Sequence, residues 1–282
     1  MSWRPSASIE TLVERAAALR RVHEFFAARE VIEVHTPLLA AHTVTDPDVE
    51  GIEVPGYGFL QTSPEYFMKR LLAAGMGSCY QLLPAFRADE VGRLHDCEFL
   101  MLEWYRLAFD DRMLMHEVSE LVDVLLGAQP YRHMTYAEVV GAVHGNRAEL
   151  DLAFADAVAG LQGRVFITDY PADQAALARL NADDPTRAAR FELIVDGIEI
   201  ANGYWELKDP QEHRRRFAAD NQVRANRGRV ERQWDENFLA ALDEGLPDCA
   251  GVALGLDRLM MIALELPRLS DVMAFPGGDR VS

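Results

Sequence analysis

Cysteine is scarce. The 282 residues hold three, Cys79, Cys97 and Cys249, with no CxxC pair among them. That excludes a disulfide framework and a cysteine zinc cage and suits a reducing, cytoplasmic setting. Basic charge is short as well: 28 Lys and Arg stand against 45 Asp and Glu, for a formal net charge of −17. A surface of that sign repels phosphate backbones at long range, so non-specific nucleic-acid binding is disfavoured. The one compact basic cluster, 213-HRRR-216, falls in an expected helix and reads as a solvated face. No window approaches the ~18 uninterrupted apolar residues of a membrane span. The start, MSWRPSASIE, has no apolar secretion core. Neither GxxxxGK[ST] nor a GxGxxG after a strand occurs, so a nucleotide would be bound by another route than a Walker or Rossmann loop.

What is present is an ordinary globular balance, 49% hydrophobic and 26% charged residues. Apolar spacings of three and four predict a helix over 9–29. An extended run follows at 31–39, broken by Pro37. Ser63 and Pro64 are expected to start a helix that Gly75 ends. The segments 79–87 and 98–106 read as two strands joined by a polar connection. A helix is expected over 111–126, and the signals between about 130 and 190 are weak. A hairpin over 191–207 is expected to turn at Asp196-Gly197. A polar helix from Asp209-Pro210 to about Gly228, a helix over 236–244, a strand at 251–255 and a helix from about 256 to 266 complete the chain. Strands alternate with long helices without a βαβ rhythm, and no linker divides the chain. The expectation is an α+β fold, a central antiparallel β-sheet flanked by helices, in one domain over 1–282.

Three places carry chemistry. On strand 98–106 the side chains alternate faces: Leu100, Leu102 and Trp104 form a core face, while Phe99, Met101, Glu103 and Tyr105 form a mixed one. Arg87 ends the partner strand, with Arg93 and His95 in the connection. A guanidinium donates in bidentate fashion to phosphate oxygens. The second place is the pair Glu199 and Glu206, seven positions apart around 202-NG-203. On a regular strand they face opposite sides; one bulge, of the kind a strand glycine marks, brings them together. Two convergent carboxylates suit Mg²⁺ beside a triphosphate, or a cationic substrate. The third is 251-GVALGLDRL-259, small residues Gly251, Ala253 and Gly255 before Arg258.

Together these pieces resemble the three signature motifs of class II aminoacyl-tRNA synthetases: helix 9–29 with the strand at Pro37, then 86-FRADEVGRLHDCEF-99, then 251-GVALGLDRL-259. TSPEYFMKRLL, FLMLEWY and EIANGYWEL are similar to the lysyl-tRNA synthetase branch. The catalytic core is expected to start almost at Met1, without the branch's OB anticodon-binding domain, and with PSASI, TSPEY and PDCAGVALGLDRL this makes the chain most similar to the stand-alone paralogue family, the elongation factor P–(R)-β-lysine ligases. The resemblance implies ATP and Mg²⁺ as cofactors, (R)-β-lysine activated as an adenylate, and transfer to a lysine of elongation factor P. It implies a homodimer through motif 1, no tRNA and no membrane. Arg87 would hold the α-phosphate and Arg258 the far phosphates, as the catalytic pair. Asp89, His95, Asp96, Phe99, Glu199, Ile200 and Gly255 would complete the ATP set. Ser63, Glu65, Glu103, Tyr105, Glu206 and Ala253 would surround the amino acid. Glu199 and Glu206 are the metal candidates.

The chain departs from that family in motif 2. Arg-Asn-Glu becomes 87-RAD-89, and His-Asn-Pro becomes 95-HDC-97. Asp96 adds a negative charge that opposes triphosphate binding unless a cation compensates it. Ala253 stands where lysyl-tRNA synthetases have glycine, narrowing the space at a substrate's α-carbon. Two other readings stay open: activation of α-lysine or another amino acid for a different acceptor, and a non-catalytic regulator built on a synthetase core.

Overall fold

The computed structural model describes residues 3–88, 91–141 and 147–277. The chain forms two compact units, each assembled from separated segments. One comprises Met1–Trp104, Lys208–Pro247 and Gly255–Ser282; the other comprises Tyr105–Leu207 and Asp248–Leu254. Two of the four crossings fall inside strands Glu98–Leu107 and Cys249–Gly255, and the other two, at Leu207/Lys208 and Pro247/Asp248, fall in short connections.

In the first unit the opening helix is Ile9–Ala27, capped by Ser8, whose side chain accepts from Thr11 N at 3.0 Å. It buries Ala18, Val22, Phe25 and Phe26. Phe26 stacks on Tyr80 at 4.3 Å and meets Trp104 edge-on at 5.4 Å. Ile32–Glu33 runs parallel to Cys79–Phe86, which lies beside Glu98–Leu107. Helix Glu65–Ala73 packs on Glu236–Gly245 through stacked Tyr66 and Phe238 rings, 4.3 Å apart.

Helix Pro210–Asn226 follows Asp209, whose carboxylate accepts from Gln211 N and Glu212 N. Its basic cluster differs from a simple solvated face. Arg214 pairs with Asp243, and Arg215 and Arg216 pair with Glu212, but His213 is fully buried against Phe217 and Phe238.

In the second unit the strand order is Cys249–Gly255, Ile198–Trp205, Arg190–Val195, Arg164–Thr168, Tyr131–Thr135. Most pairs are antiparallel, as the sequence predicts, but Tyr131–Thr135 pairs parallel to Arg164–Thr168. The helices Tyr136–Val140 and Arg147–Ala159 lie between those two strands in the chain, a βαβ crossover that the sequence does not announce. Arg147–Ala159 packs its apolar side without fully burying a residue: Phe154 stacks on Tyr136 at 4.9 Å and lies with Val158 against the cluster described below. The hairpin turns at Asp196 (φ 47°) and Gly197 (φ 77°), both left-handed, as the Asp-Gly pair predicts. Helix Asp111–Leu126 packs on one face of this sheet. A cluster of Tyr136, Val165, Ile167, Tyr170 and Ile194 forms on the other. Gly203 lies opposite Phe191, and a Cβ there would meet the Phe191 ring at 2.3 Å. No helix among the described residues is long and apolar enough to cross a membrane.

Candidate active site

The first unit holds the two arginines. Arg87 directly follows strand Cys79–Phe86, and its main-chain N donates to Cys97 O at 2.9 Å across the hairpin. Its guanidinium lies 5.1 Å from the Phe99 ring centre, a cation–π contact that sets the cation beside a flat apolar surface. Arg258 sits on helix Leu256–Ala263, and its Nε donates to Leu94 O at 3.1 Å. Motif 3 is thereby tied to the connection of motif 2.

Asp257, which sequence reasoning passed over, is 2% exposed. One of its oxygens pairs with Arg15 of the first helix, and the other accepts from Leu100 N at 2.6 Å. One buried carboxylate thus ties the first and third signature segments to Leu100, the residue after the second. An acidic residue followed by arginine at the start of an apolar helix is the only sequence signal for it.

Around them, His95 is exposed on the connection, where its carbonyl accepts from Gly92 N at 3.0 Å. Asp96 is buried and its carboxylate accepts main-chain N–H bonds from Glu98 and Gly277. Asp89 lies outside the described residues. Gly255 precedes helix Leu256–Ala263 as its cap. The helix expected at Ser63 starts at Glu65, and Ser63 Oγ accepts from Glu65 N at 3.3 Å. Glu65 carries an ion pair with fully buried Lys69, 2.6 Å away, so its charge is already partly compensated within the chain. Glu103 is 3% exposed. Burial pushes the Cys79 thiol up to about 12, and the Glu103 carboxylate adds to the shift.

In the second unit the decisive feature is a bulge. Strand Ile198–Trp205 pairs Ala201 with Leu193 but Glu199 with Ile194, leaving Ile200 as one extra residue. The sequence places such a bulge at the Asn202-Gly203 step; it occurs at Ile200, while Gly203 serves the close approach of Phe191. Residues directly opposite in an antiparallel pair share a face. The extra residue therefore turns Glu199 to the face of Glu192, Asn202 and Tyr204, where a regular strand would point it with Ala201 and Gly203.

Asn202 stands opposite Ala253, and Tyr204 opposite Gly251. A Cβ on Gly251 would lie 2.5 Å from Glu206 Oε1, so Glu206 and Tyr105 converge on that glycine. Ile200 itself is buried.

Two residues on this face were missed in the sequence, Glu192 and Asn202. Arg190 connects them, donating to Glu192 Oε1 at 2.5 Å and to Asn202 Oδ1 at 3.3 Å. Burial pushes the Glu192 carboxyl up, Arg190 opposes this, and the nearby Glu199 charge raises it further. Glu199 is thus electrostatically close to Glu192, while Glu206, 1% exposed, packs against Tyr105 and Gly251. Among the described residues no three His, Cys, Asp or Glu side chains gather as a metal cage. Mg²⁺ needs no such cage: it takes one or two carboxylates and completes its shell with water and phosphate oxygens. Glu199 with Glu192 fits that donor set.

The family of class II tRNA synthetases (D, K and N) matches residues 1–278, and the chain belongs to that family. Its relatives narrow the likeness. A protein of Vibrio cholerae (serotype O1, El Tor Inaba N16961) is 44% identical over 97% of this chain and 97% of its own. One of Vibrio vulnificus (strain YJ016) is 42% identical over 97% and 98%, and one of Yersinia pestis (strain Pestoides F) is 42% identical over 98% and 97%. Each is named elongation factor P–(R)-β-lysine ligase.

Proposed function

We propose that this enzyme is an ATP-dependent, AMP-forming ligase that activates (R)-β-lysine and transfers it to a lysine ε-amine of elongation factor P. Near-full-length identity to ligases of that name supports the reading. The structural observation that carries it is the meeting of Tyr105 and buried Glu206 at Gly251, an anionic, hydrogen-bonding end suited to a substrate ammonium.

In the first step a carboxylate oxygen of β-lysine attacks the α-phosphorus of ATP and pyrophosphate leaves. Arg87 binds the α-phosphate and offsets the charge that builds there, and Arg258 binds the far phosphates. Phe99, already against Arg87, stacks on the adenine, with His95 near it. Glu199 with Glu192 would hold Mg²⁺, which would supply charge neutralisation to the phosphates. In the second step the neutral ε-amine of the acceptor attacks the acyl carbon, the amide forms, and AMP leaves. Glu65, Glu103 and Ser63 belong to the amino-acid set, and Ala253 limits space at the α-carbon.

We place the enzyme in the cytoplasm as a homodimer through its first helix, where Ile9 and Val13, one turn apart, are 69% and 61% exposed. Incubation with ATP, each lysine isomer and elongation factor P, read by intact mass, tests the assignment. A β-lysyl adduct on elongation factor P is expected. An adduct on tRNA alone, or no AMP with any amino acid, would sink it.

A further inference from the structure

The substitution of 95-HDC-97 for the expected His-Asn-Pro puts a carboxylate where a triphosphate would repel it. The geometry gives that carboxylate another task. Asp96 is 6% exposed. Its Oδ2 accepts from Gly277 N at 2.5 Å and its Oδ1 from Glu98 N at 3.1 Å. Both oxygens act as acceptors, which a carboxylate can do and an asparagine cannot, since one of its two terminal atoms is an N–H₂ donor.

Gly277 is matched to this contact. A Cβ there would stand 2.7 Å from Asp96 Oδ1 and 3.0 Å from Cys97 Sγ. The segment that delivers Gly277 is itself pinned: Ser6 N donates to Ala274 O at 2.9 Å and Ala7 N to Met273 O at 3.1 Å. A second fastening holds the connection nearby, with Leu269 N donating to Arg93 O at 2.9 Å. The residue after Asp96 accepts the main-chain N–H of Arg87, and two residues further on Phe99 carries the Arg87 guanidinium.

We propose that Asp96 is a positioning residue rather than an ATP ligand: with Gly277 it bolts the C-terminal segment to the hairpin that carries Arg87. The proposal rests on Arg87 being the α-phosphate arginine. Small displacements of such a group are costly, on the order of 100-fold per ångström, so a main-chain bolt beside it acts on ATP and not on the amino acid.

The test uses the full-length enzyme with Asp96→Ala, Asp96→Asn, Gly277→Ala and the double variant Asp96→Ala/Gly277→Ala. ATP–pyrophosphate exchange with (R)-β-lysine gives separate KM values, thermal midpoints follow folding, and hydrogen exchange follows the Arg87 amide. The alanine variants are expected to raise the KM for ATP about tenfold, with the KM for β-lysine within about twofold. Asp96→Asn should fall between wild type and Asp96→Ala. The double variant should be no worse than the poorer single one, because both break one contact. The Arg87 amide should exchange faster in each alanine variant.

A lower KM for ATP in Asp96→Asn with a neutral Gly277→Ala would show that Asp96 faces the phosphates, and would overturn the proposal. So would equal rises in both KM values tracking a lost midpoint. If Arg87→Ala retains exchange, the reading of Arg87 has failed instead, and faster exchange of its amide in the alanine variants would still show the bolt.

Discussion

The main chain at Gly251 lies flush against the ring of Tyr105: a Cβ there would stand 2.3 Å from Tyr105 Cε1. Nothing but glycine leaves both the ring and Glu206 in place. Gly251→Ala is therefore expected to push Tyr105 and Glu206 apart and weaken amino-acid binding by about 1–3 kcal/mol. Exchange kinetics should show a raised KM for β-lysine with the KM for ATP little changed. An unaltered KM for the amino acid would remove Glu206 and Tyr105 from its binding set.

Ala253 lies two residues further along, on the same face as Gly251 and opposite Asn202. Its methyl is expected to crowd an amino group on the α-carbon more than one on the β-carbon. Ala253→Gly should then shift the preference toward α-lysine by about 1–3 kcal/mol, roughly tenfold or more. Competition between the two isomers in the exchange assay measures it, and an unchanged ratio would reduce the alanine to packing.

A buried and a half-buried group give stability opposite pH slopes. Burial, and next Lys69, press His213 down to about 3, below its ordinary ~6.5. The unfolded chain binds the extra proton, so this contribution is full above about pH 6.5 and is lost as pH falls toward the folded value. Burial pushes Asp220 up to about 6, against the hydrogen bond from Thr45 and with added repulsion from Asp46. Its folded state holds the proton more tightly, so ionised Asp220 costs stability above about pH 6, and the cost disappears as pH falls toward the unfolded ~3.9.

Asp220→Asn retains an acceptor for Thr45 and is expected to stabilise by about 1–3 kcal/mol at about pH 8. The gain should vanish near about pH 4. Urea midpoints across that range check it, and a gain independent of pH would contradict the burial of a charge.

The exposed pair Ile9 and Val13 supports the dimer assignment. Val13→Glu places a charge in an apolar contact and is expected to yield single chains by light scattering with the thermal midpoint of the isolated fold little changed. A persistent dimer would move the interface elsewhere.

Much of this was legible in the sequence because local rules governed it. The cap at Asp209 and the Asp196-Gly197 turn are side-chain and backbone chemistry within a few residues, and they formed where expected. The need for a bulge between Glu199 and Glu206 was legible from parity, but its position was not, because Gly203 answers to Phe191, a residue on the neighbouring strand. Asp257 and Asn202 escaped for the same reason: their partners Arg15, Leu100 and Arg190 are distant in the chain or lie on the neighbouring strand. The crossover between Tyr131–Thr135 and Arg164–Thr168 was hidden by the shortness of Tyr136–Val140 and by a helix, Arg147–Ala159, whose apolar side is only half-buried.

The extra residue at Ile200 sets the phase of its strand. Side chains upstream and downstream of it read in different registers, and the two acidic groups belong together only because of that offset. Substitutions there alter chemistry one side chain at a time. Pairing Ile200 in register instead of bulging it would turn Glu199 to the face of Ala201 and Gly203 while leaving Glu206 where it is, separating phosphate handling from amine recognition in a single step. Any redesign of this scaffold for a new amino acid therefore has to keep the bulge at Ile200, and Gly203 against the Phe191 ring, along with the two acidic residues they position.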